Sequence, residues 1–254
     1  MAFAAGSEVD LFYGGKVKVG VPIAQGGFSM VYSCFFGDIP AALKIITKKC
    51  GNFEKEVNLL ATLNHPNVVR LLGFLQTDQE MLVMERHPID LIDHLAQRPS
   101  LEATKHLVRE FYAGLEYLHS EGVAHLDLKL ENLLLTGTGS VVICDFGFAT
   151  REKWSTLQVG TSGYVAPEVF YVKHLGAYDT IQADLWSASI VAFSIALGYM
   201  PFESRYGQCP NYRLFRKHPA VFWSKIDSEW VDFLAWLIQF APAHRRKHVR
   251  HPFL

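Results

Sequence analysis

Short apolar runs separated by glycine-rich breaks open the chain. Val17-Lys18-Val19, Phe28 to Phe36 and Ala41 to Ile46 read as strands of an antiparallel sheet, with breaks at Gly14-Gly15, Gly26-Gly27 and Gly37-Asp38-Ile39-Pro40. From Phe53 to Leu63 the period changes. Val57, Leu60, Ala61 and Leu63 recur near helical spacing behind the charges Glu54, Lys55 and Glu56, which predicts a helix. Two more strands are predicted at Val68 to Phe74 and Met81 to Glu85. Beyond that the pattern is helical: Leu91 to Ala96, Leu101 to His119, Ala183 to Leu197 and Trp230 to Phe240. The change of character falls near Arg86-His87-Pro88. The expected architecture is α+β: one domain over 1–254, with a sheet-rich N-lobe at 1–86 carrying one main helix and a larger, mostly helical C-lobe at 87–254.

Half of the 254 residues are apolar, enough to bury a substantial core. The formal charge is -1, without the basic excess of a nucleic-acid binder. The run His244-Arg245-Arg246-Lys247-His248 reads as a solvated helix end. Cys34, Cys50, Cys144 and Cys209 are scattered and form no C-x-x-C pair, so reduced thiols in a cytoplasmic (or nuclear) protein are expected. The eleven histidines form no metal-ligand motif. Met1 to Gly6 lacks the features of a signal peptide, and Ala2 does not fit a myristoylation pattern. The apolar run from Ile190 to Met200 falls short of the roughly 20 residues that span a bilayer and reads as a buried helix, so no membrane insertion is expected.

Four segments carry candidate chemistry. In Ile23 to Val31, a Gly26-Gly27 turn between strands could bring backbone N–H groups close to phosphate oxygens, although an ordinary hairpin turn fits as well. In Ala41-Ala42-Leu43-Lys44, a lysine on a largely buried strand needs a partner. Glu56, twelve residues on, could be that partner, the alternative being a solvated edge lysine. In His125-Leu126-Asp127-Leu128-Lys129-Leu130-Glu131-Asn132, polar groups sit among leucines that would make them costly to bury without purpose. Asp127 could take or orient a hydroxyl proton, Lys129 could offset charge on a moving phosphoryl group, and Asn132 could ligate a metal. In Val141 to Gly147, an apolar strand delivers Asp145 to a place where it could hold Mg²⁺, with Gly147 as a flexible point after it.

Taken in order, these segments and Ala166-Pro167-Glu168 resemble the eukaryotic protein kinase family, whose Gly-rich loop, V-A-I-K, H-R-D-x-K-x-x-N, D-F-G and A-P-E they follow from about Val17 to Leu254. The resemblance implies a two-lobed kinase fold and ATP with Mg²⁺ (Mn²⁺ as an alternative) as cofactors. It implies a nucleotide site of Ile23, Ala24, Gly26, Gly27, Ser29, Val31, Ala42, Lys44, Met84, Glu85, His87 and Leu134. Lys44 would pair with Glu56 and contact phosphates, Asp127 would be the base, and Asn132 and Asp145 the metal ligands. Glu85 to His87 would meet adenine through backbone groups, with Met84 as gatekeeper. Glu168 would pair with Arg245. Lys129, and Thr161 bonding Asp127 and Lys129, imply serine or threonine as acceptor. Asp90 and Glu131 resemble positions that hold an arginine upstream of the target hydroxyl, the alternative being two solvated carboxylates. Protein substrates and a monomeric state are expected.

The chain departs from the family at Leu126, where H-R-D has arginine. That arginine meets a phosphate on the activation loop, so activity independent of loop phosphorylation is expected. His125-Leu126-Asp127-Leu128-Lys129 is similar to myosin light-chain kinases and to the calcium/calmodulin-dependent group. Ala24 and Ser29 stand where the family has glycines, which implies modest ATP affinity. These departures keep open a second class, a non-catalytic pseudokinase acting as scaffold or allosteric partner. A kinase acting on small molecules or lipids fits less well, because Gly160 to Glu168 resembles a peptide-docking segment.

Overall fold

A computed structural model describes residues 6–10, 15–48, 52–203, 208–246 and 250–254. Gly14, Cys50, Lys247 and His248, on which sequence expectations fell, lie outside them. The chain forms two compact units, Met1–Pro88 and Ile89–Leu254.

The first unit is a six-stranded antiparallel sheet with one helix. Its elements are β1 (Glu8–Asp10), β2 (Lys16–Gln25), β3 (Ser29–Phe36), β4 (Ile39–Ile46), α1 (Phe53–Leu60), β5 (Leu71–Gln76) and β6 (Glu80–Glu85), with strand order β1-β2-β3-β4-β6-β5. Side chains alternate across a strand, so each strand presents two faces. Val17, Val19, Cys34, Ala41, Leu43 and Ile45 turn into a core that also holds Val83. The opposite face of β4 carries Ala42 and Lys44. Two expectations are corrected here. Ile39 and Pro40 do not break the sheet but begin β4, because Gly37, at φ 59°, and Asp38 suffice to make the turn. The strand predicted from Val68 starts only at Leu71, and β1 had no signal in its three residues.

The second unit is mostly helical. It contains β7 (Ile89–Asp90), α2 (Leu91–Ala96), α3 (Leu101–Ser120), a 3-10 turn (Leu130–Asn132), β8 (Leu133–Leu135), β9 (Val141–Ile143), β10 (Trp154–Ser155), α4 (Pro167–Phe170), α5 (Val172–Leu175), β11 (Tyr178–Asp179), α6 (Thr180–Leu197), α7 (Pro210–Lys217), α8 (Pro219–Trp223), α9 (Val231–Leu237) and a second 3-10 turn (Pro242–His244). The helix starts follow capping chemistry. The Ser100 hydroxyl accepts from Ala103 N at 3.3 Å, and the Asp179 carboxylate accepts from Gln182 N at 3.0 Å, each satisfying an orphan donor. Gly198, at φ 75°, ends α6 in the left-handed conformation that glycine tolerates.

α6 is apolar on all sides. It is long and apolar enough to cross a membrane, yet 78% of it is buried inside the protein. It packs against α3, α9 and both 3-10 turns. A ring cluster lies along it, with Trp186 stacked on Phe202 at 6.0 Å and Phe215 and Phe222 close by. Trp230 is core, while Trp223 and Trp236 are half-buried against neighbouring rings.

Candidate active site

Antiparallel register gathers the predicted nucleotide residues of the first unit on one sheet face. Val31 pairs with Ala24 on one side and Lys44 on the other, and Ala42 pairs with Met84. Lys44 Nζ lies 2.7 Å from Glu56 Oε1, with side-chain exposures of only 8% and 4%. A buried cation persists only with such a partner. Glu56 reaches it because α1 turns Phe53, Glu56, Val57 and Leu60 to one buried face. Glu85 commits its N–H to Arg70 O at 3.0 Å.

The Gly-rich turn is built differently from expectation. Neither Gly26, Gly27, Ala24 nor Ser29 has a positive φ. Gly26 N–H closes the hairpin onto Ser29 O at 2.8 Å. The turn therefore forms without the left-handed conformations that only glycine adopts cheaply.

In the second unit the catalytic segment is threaded through buried polar contacts. The carboxylate of Asp184, fully buried on α6, accepts the N–H of His125 at 2.6 Å and of Leu126 at 2.7 Å. It also lies 3.1 Å from His119 Nε2, which donates to it. His125 Nδ1 accepts Asp127 N–H at 3.2 Å, and Nε2 donates to Cys144 O at 3.0 Å, so the ring carries its proton on Nε2. The ring also meets Phe146 edge-on at 4.9 Å. His119 gave no sequence signal.

These anchors present Asp127. Its Oδ1 accepts the Thr161 hydroxyl at 2.6 Å, and its Oδ2 pairs with Lys129 Nζ at 2.9 Å. Lys129 also donates to Thr161 Oγ1 at 3.0 Å. Asn132 Nδ2 turns to Asp127 O at 2.9 Å, so the amide oxygen is what Asn132 offers a cation. Cys144 N–H bonds Asn132 O at 2.9 Å, which brings Asp145, next in the chain, beside Asn132. Two oxygen donors leaving the remaining positions to phosphate and water suit Mg²⁺. The special backbone at this point is Asp145 itself, at φ 63°, and not Gly147, where flexibility had been expected. A short polar side chain tolerates that conformation better than most.

Leu126 is also left-handed, at φ 64°. Its side chain lines a small cavity with Val159, Val165, Ala166, Val169 and Tyr178. Gly160, at φ 98°, passes so close that an added Cβ would sit 2.8 Å from Leu126 O. Gly160→Ala is therefore expected to destabilise the segment by about 1–2 kcal/mol from conformation alone, with the clash in addition. Gly27→Ala, with nothing within 4 Å, should melt within a degree or two of the parent. Equal melting temperatures for the two variants would refute this reading.

Glu168 and Arg245 form a two-pronged pair through Nη1–Oε1 and through Nη2–Oε2 at 3.0 Å. Arg245 also donates to Gln182 O at 2.6 Å and lies over the Trp186 ring. The expectation of a solvated basic run is thus corrected at Arg245, which is 5% exposed.

Residues 17–254 match the family described as protein kinase domain. Over 278 residues the chain is 30% identical to a probable myosin light chain kinase of Dictyostelium discoideum, covering 98% of this chain and 68% of that protein. It is 29% identical to CBL-interacting serine/threonine-protein kinase 13 of Arabidopsis thaliana, covering 75% of this chain and 41% of the relative. It is also 29% identical to serine/threonine-protein kinase 36 of Mus musculus, covering 91% and 19%. The chain thus spans less than half the length of two of these relatives. With the kinase motifs in order, a sheet unit and a helical unit of the expected kinds, and relatives of one class, the chain belongs to the protein kinase family, serine/threonine type, with the two-lobed fold of that family.

Proposed function

We propose that the chain transfers the γ-phosphate of ATP, with Mg²⁺, to serine or threonine hydroxyls of protein substrates. The observation that carries this is the closed set Asp127, Lys129 and Thr161, in which a carboxylate is held at both oxygens beside a cation. Bound ATP-Mg²⁺ supplies the phosphoryl group and much of the charge neutralisation. Lys44, held by Glu56, would contact the phosphates, and Asn132 and Asp145 would hold the metal. Met84, Ala42, Val31 and Leu134 offer apolar surface for the base. Asp127 would receive the hydroxyl proton while Lys129 offsets charge on the transferred group.

Radiolabelled ATP-Mg²⁺ with generic protein substrates tests this. The parent should incorporate label, and Lys44→Met and Asp127→Asn should not. Phosphoamino-acid analysis should then return phosphoserine and phosphothreonine. A silent parent that still binds nucleotide would favour the pseudokinase reading. The pair Lys44–Glu56 and the unstrained Gly-rich turn favour catalysis.

The same proposal includes activity without loop phosphorylation. Leu126 offers a phosphate no cation and borders a small cavity together with Val159 and Val165 of the loop. Backbone and hydroxyl bonds hold the loop as well. β10 pairs with β11, Thr180 Oγ1 donates to Glu152 O at 2.7 Å, and Tyr178 OH donates to Leu157 O at 2.9 Å. Phosphatase treatment should leave the rate within about twofold, a change worth only about 0.4 kcal/mol of barrier. The idea is lost if that treatment abolishes activity and alanine at both Ser155 and Thr156 reproduces the loss.

We further infer substrates with an arginine upstream of the target. Asp90, the N-cap of α2, and Glu131, in the 3-10 turn against which α2 packs, are both exposed carboxylates on adjoining elements, a geometry suited to a guanidinium. A monomer in the cytoplasm or nucleus, acting away from membranes and nucleic acid, completes the proposal. The buried thiols Cys34 and Cys209, neither in a disulfide among the described residues, support a reducing compartment.

A further inference from the structure

α7 divides its residues by face. Tyr212 and Phe215 are buried, where they meet Phe202 at 5.4 and 5.5 Å. Arg213, Arg216 and Lys217 follow the i, i+3, i+4 spacing on the other side, and all three are exposed. Like charges at that spacing repel one another and weaken a helix. The helix dipole offsets this for Arg216 and Lys217, in the last turn, but not for Arg213. Among the described residues no carboxylate pairs with any of the three. Arg216 is steadied instead by Phe240, whose ring centre lies 5.4 Å from its guanidinium carbon and which is itself 42% exposed.

The sequence around this face is one-sided in charge. No acidic residue occurs from 204 to 226, and residues 204–254 hold nine lysines and arginines against three acids, a balance of +6. The full chain carries -1, so the first 203 residues carry -7.

We propose that this face of α7, with Phe240, docks an acidic, extended segment of a partner protein that also carries an apolar side chain. Charge complementarity sets the sign of the partner. A membrane or a nucleic acid is an extended anionic surface, and it would also meet the acid excess of the rest of the chain. A helix that lies on a membrane needs a free apolar face, and that of α7 is buried among rings. A short segment touches the basic face alone. Its carboxylates would take two-pronged contacts from Arg213 and Arg216 and relieve their mutual repulsion, while its apolar side chain would cover Phe240. None of the residues assigned to phosphoryl transfer takes part, so docking here holds a partner by tethering, separately from turnover.

Fluorescence anisotropy with the full chain and a labelled peptide tests this. The peptide alternates aspartate and glutamate around one phenylalanine, and its control has asparagine and glutamine in their place. The parent should bind the acidic peptide more tightly than the control, and more so at low salt. Arg213→Gln, Arg216→Gln and Lys217→Gln together should weaken that binding about tenfold, the size of three exposed ion pairs. Lys18→Gln, Lys55→Gln and Lys173→Gln together remove equally exposed cations elsewhere and should change it by less than about twofold. Equal losses in the two triple variants would reduce the effect to net charge and overturn the proposal, as would a parent indifferent to the acidic peptide. Charge reversal guards against misfolding: Arg213→Glu, Arg216→Glu and Lys217→Glu together should take up a lysine counterpart of the peptide that the parent refuses. Phosphatidylserine vesicles bound through the same three residues more tightly than the peptide would assign the face to a lipid surface. A dimer seen by sedimentation and lost in the α7 variant would assign it to a second copy. Either result would equally overturn the proposal.

Discussion

Asp127→Asn is expected to lower kcat by about 10²–10⁴-fold while nucleotide affinity stays near that of the parent. The substitution keeps size and shape but removes the charge and one acceptor. Either orientation of the new amide fails. With its nitrogen in the place of Oδ2, a donor faces Lys129 Nζ and Asn132 Nδ2, both donors. With the nitrogen in the place of Oδ1, the Thr161 hydroxyl loses the acceptor for its own proton and must turn it elsewhere. The loss is thus twofold in kind, a missing base and a misdirected Lys129. Single-turnover measurement with saturating ATP-Mg²⁺, beside a separate nucleotide-binding titration, reads the two apart. A variant that turns over like the parent would remove Asp127 from the chemistry.

The second large effect concerns stability. Glu168→Gln is expected to destabilise the helical unit by about 3–5 kcal/mol, the usual result of stranding one member of a buried ion pair. The Arg245 side chain is 1% exposed, and its remaining partners are carbonyl oxygens and the face of Trp186, which satisfy its hydrogens without cancelling its charge. Replacing both, as Glu168→Gln with Arg245→Met, should cost less than Glu168→Gln alone, because no charge is then left buried. Amide hydrogen exchange along α4 and α6 reads the unit where the pair acts. Unchanged protection in Glu168→Gln, or a double variant worse than the single, would show that the pair contributes little.

The site was legible where chemistry forces spacing. A lysine on an inward strand must find an anion, and twelve residues on is where the next helix can offer one, so Lys44 and Glu56 are readable together. Asp127, Lys129 and Asn132 stand out because polar groups among leucines need a reason. What stayed hidden depends on contacts across long stretches of chain. Arg245 looks solvated in a basic run when read by itself, and it was the family resemblance, not the local pattern, that paired it with Glu168, 77 residues earlier. The two-residue ladder of Trp154–Ser155 with Tyr178–Asp179 has no alternation to detect. Glycine positions did not foretell the backbone: the left-handed turn falls on Asp145 rather than Gly147, and the Gly-rich turn contains no positive φ.

The all-round apolar surface of α6 has a consequence for biogenesis. As the chain is synthesised, α3 precedes this helix, but α9 and the 242–244 turn that cover its other sides begin about 35 and 45 residues after it ends. In that interval Thr180–Leu197 presents to the cell a segment of the length and hydropathy that insertion machinery accepts as a membrane span. What distinguishes it is Asp184, a charge costly in lipid that has ready partners in His125, Leu126 and His119. The aspartate that aligns the catalytic segment in the finished protein would thus also bias the newborn helix toward folding in water.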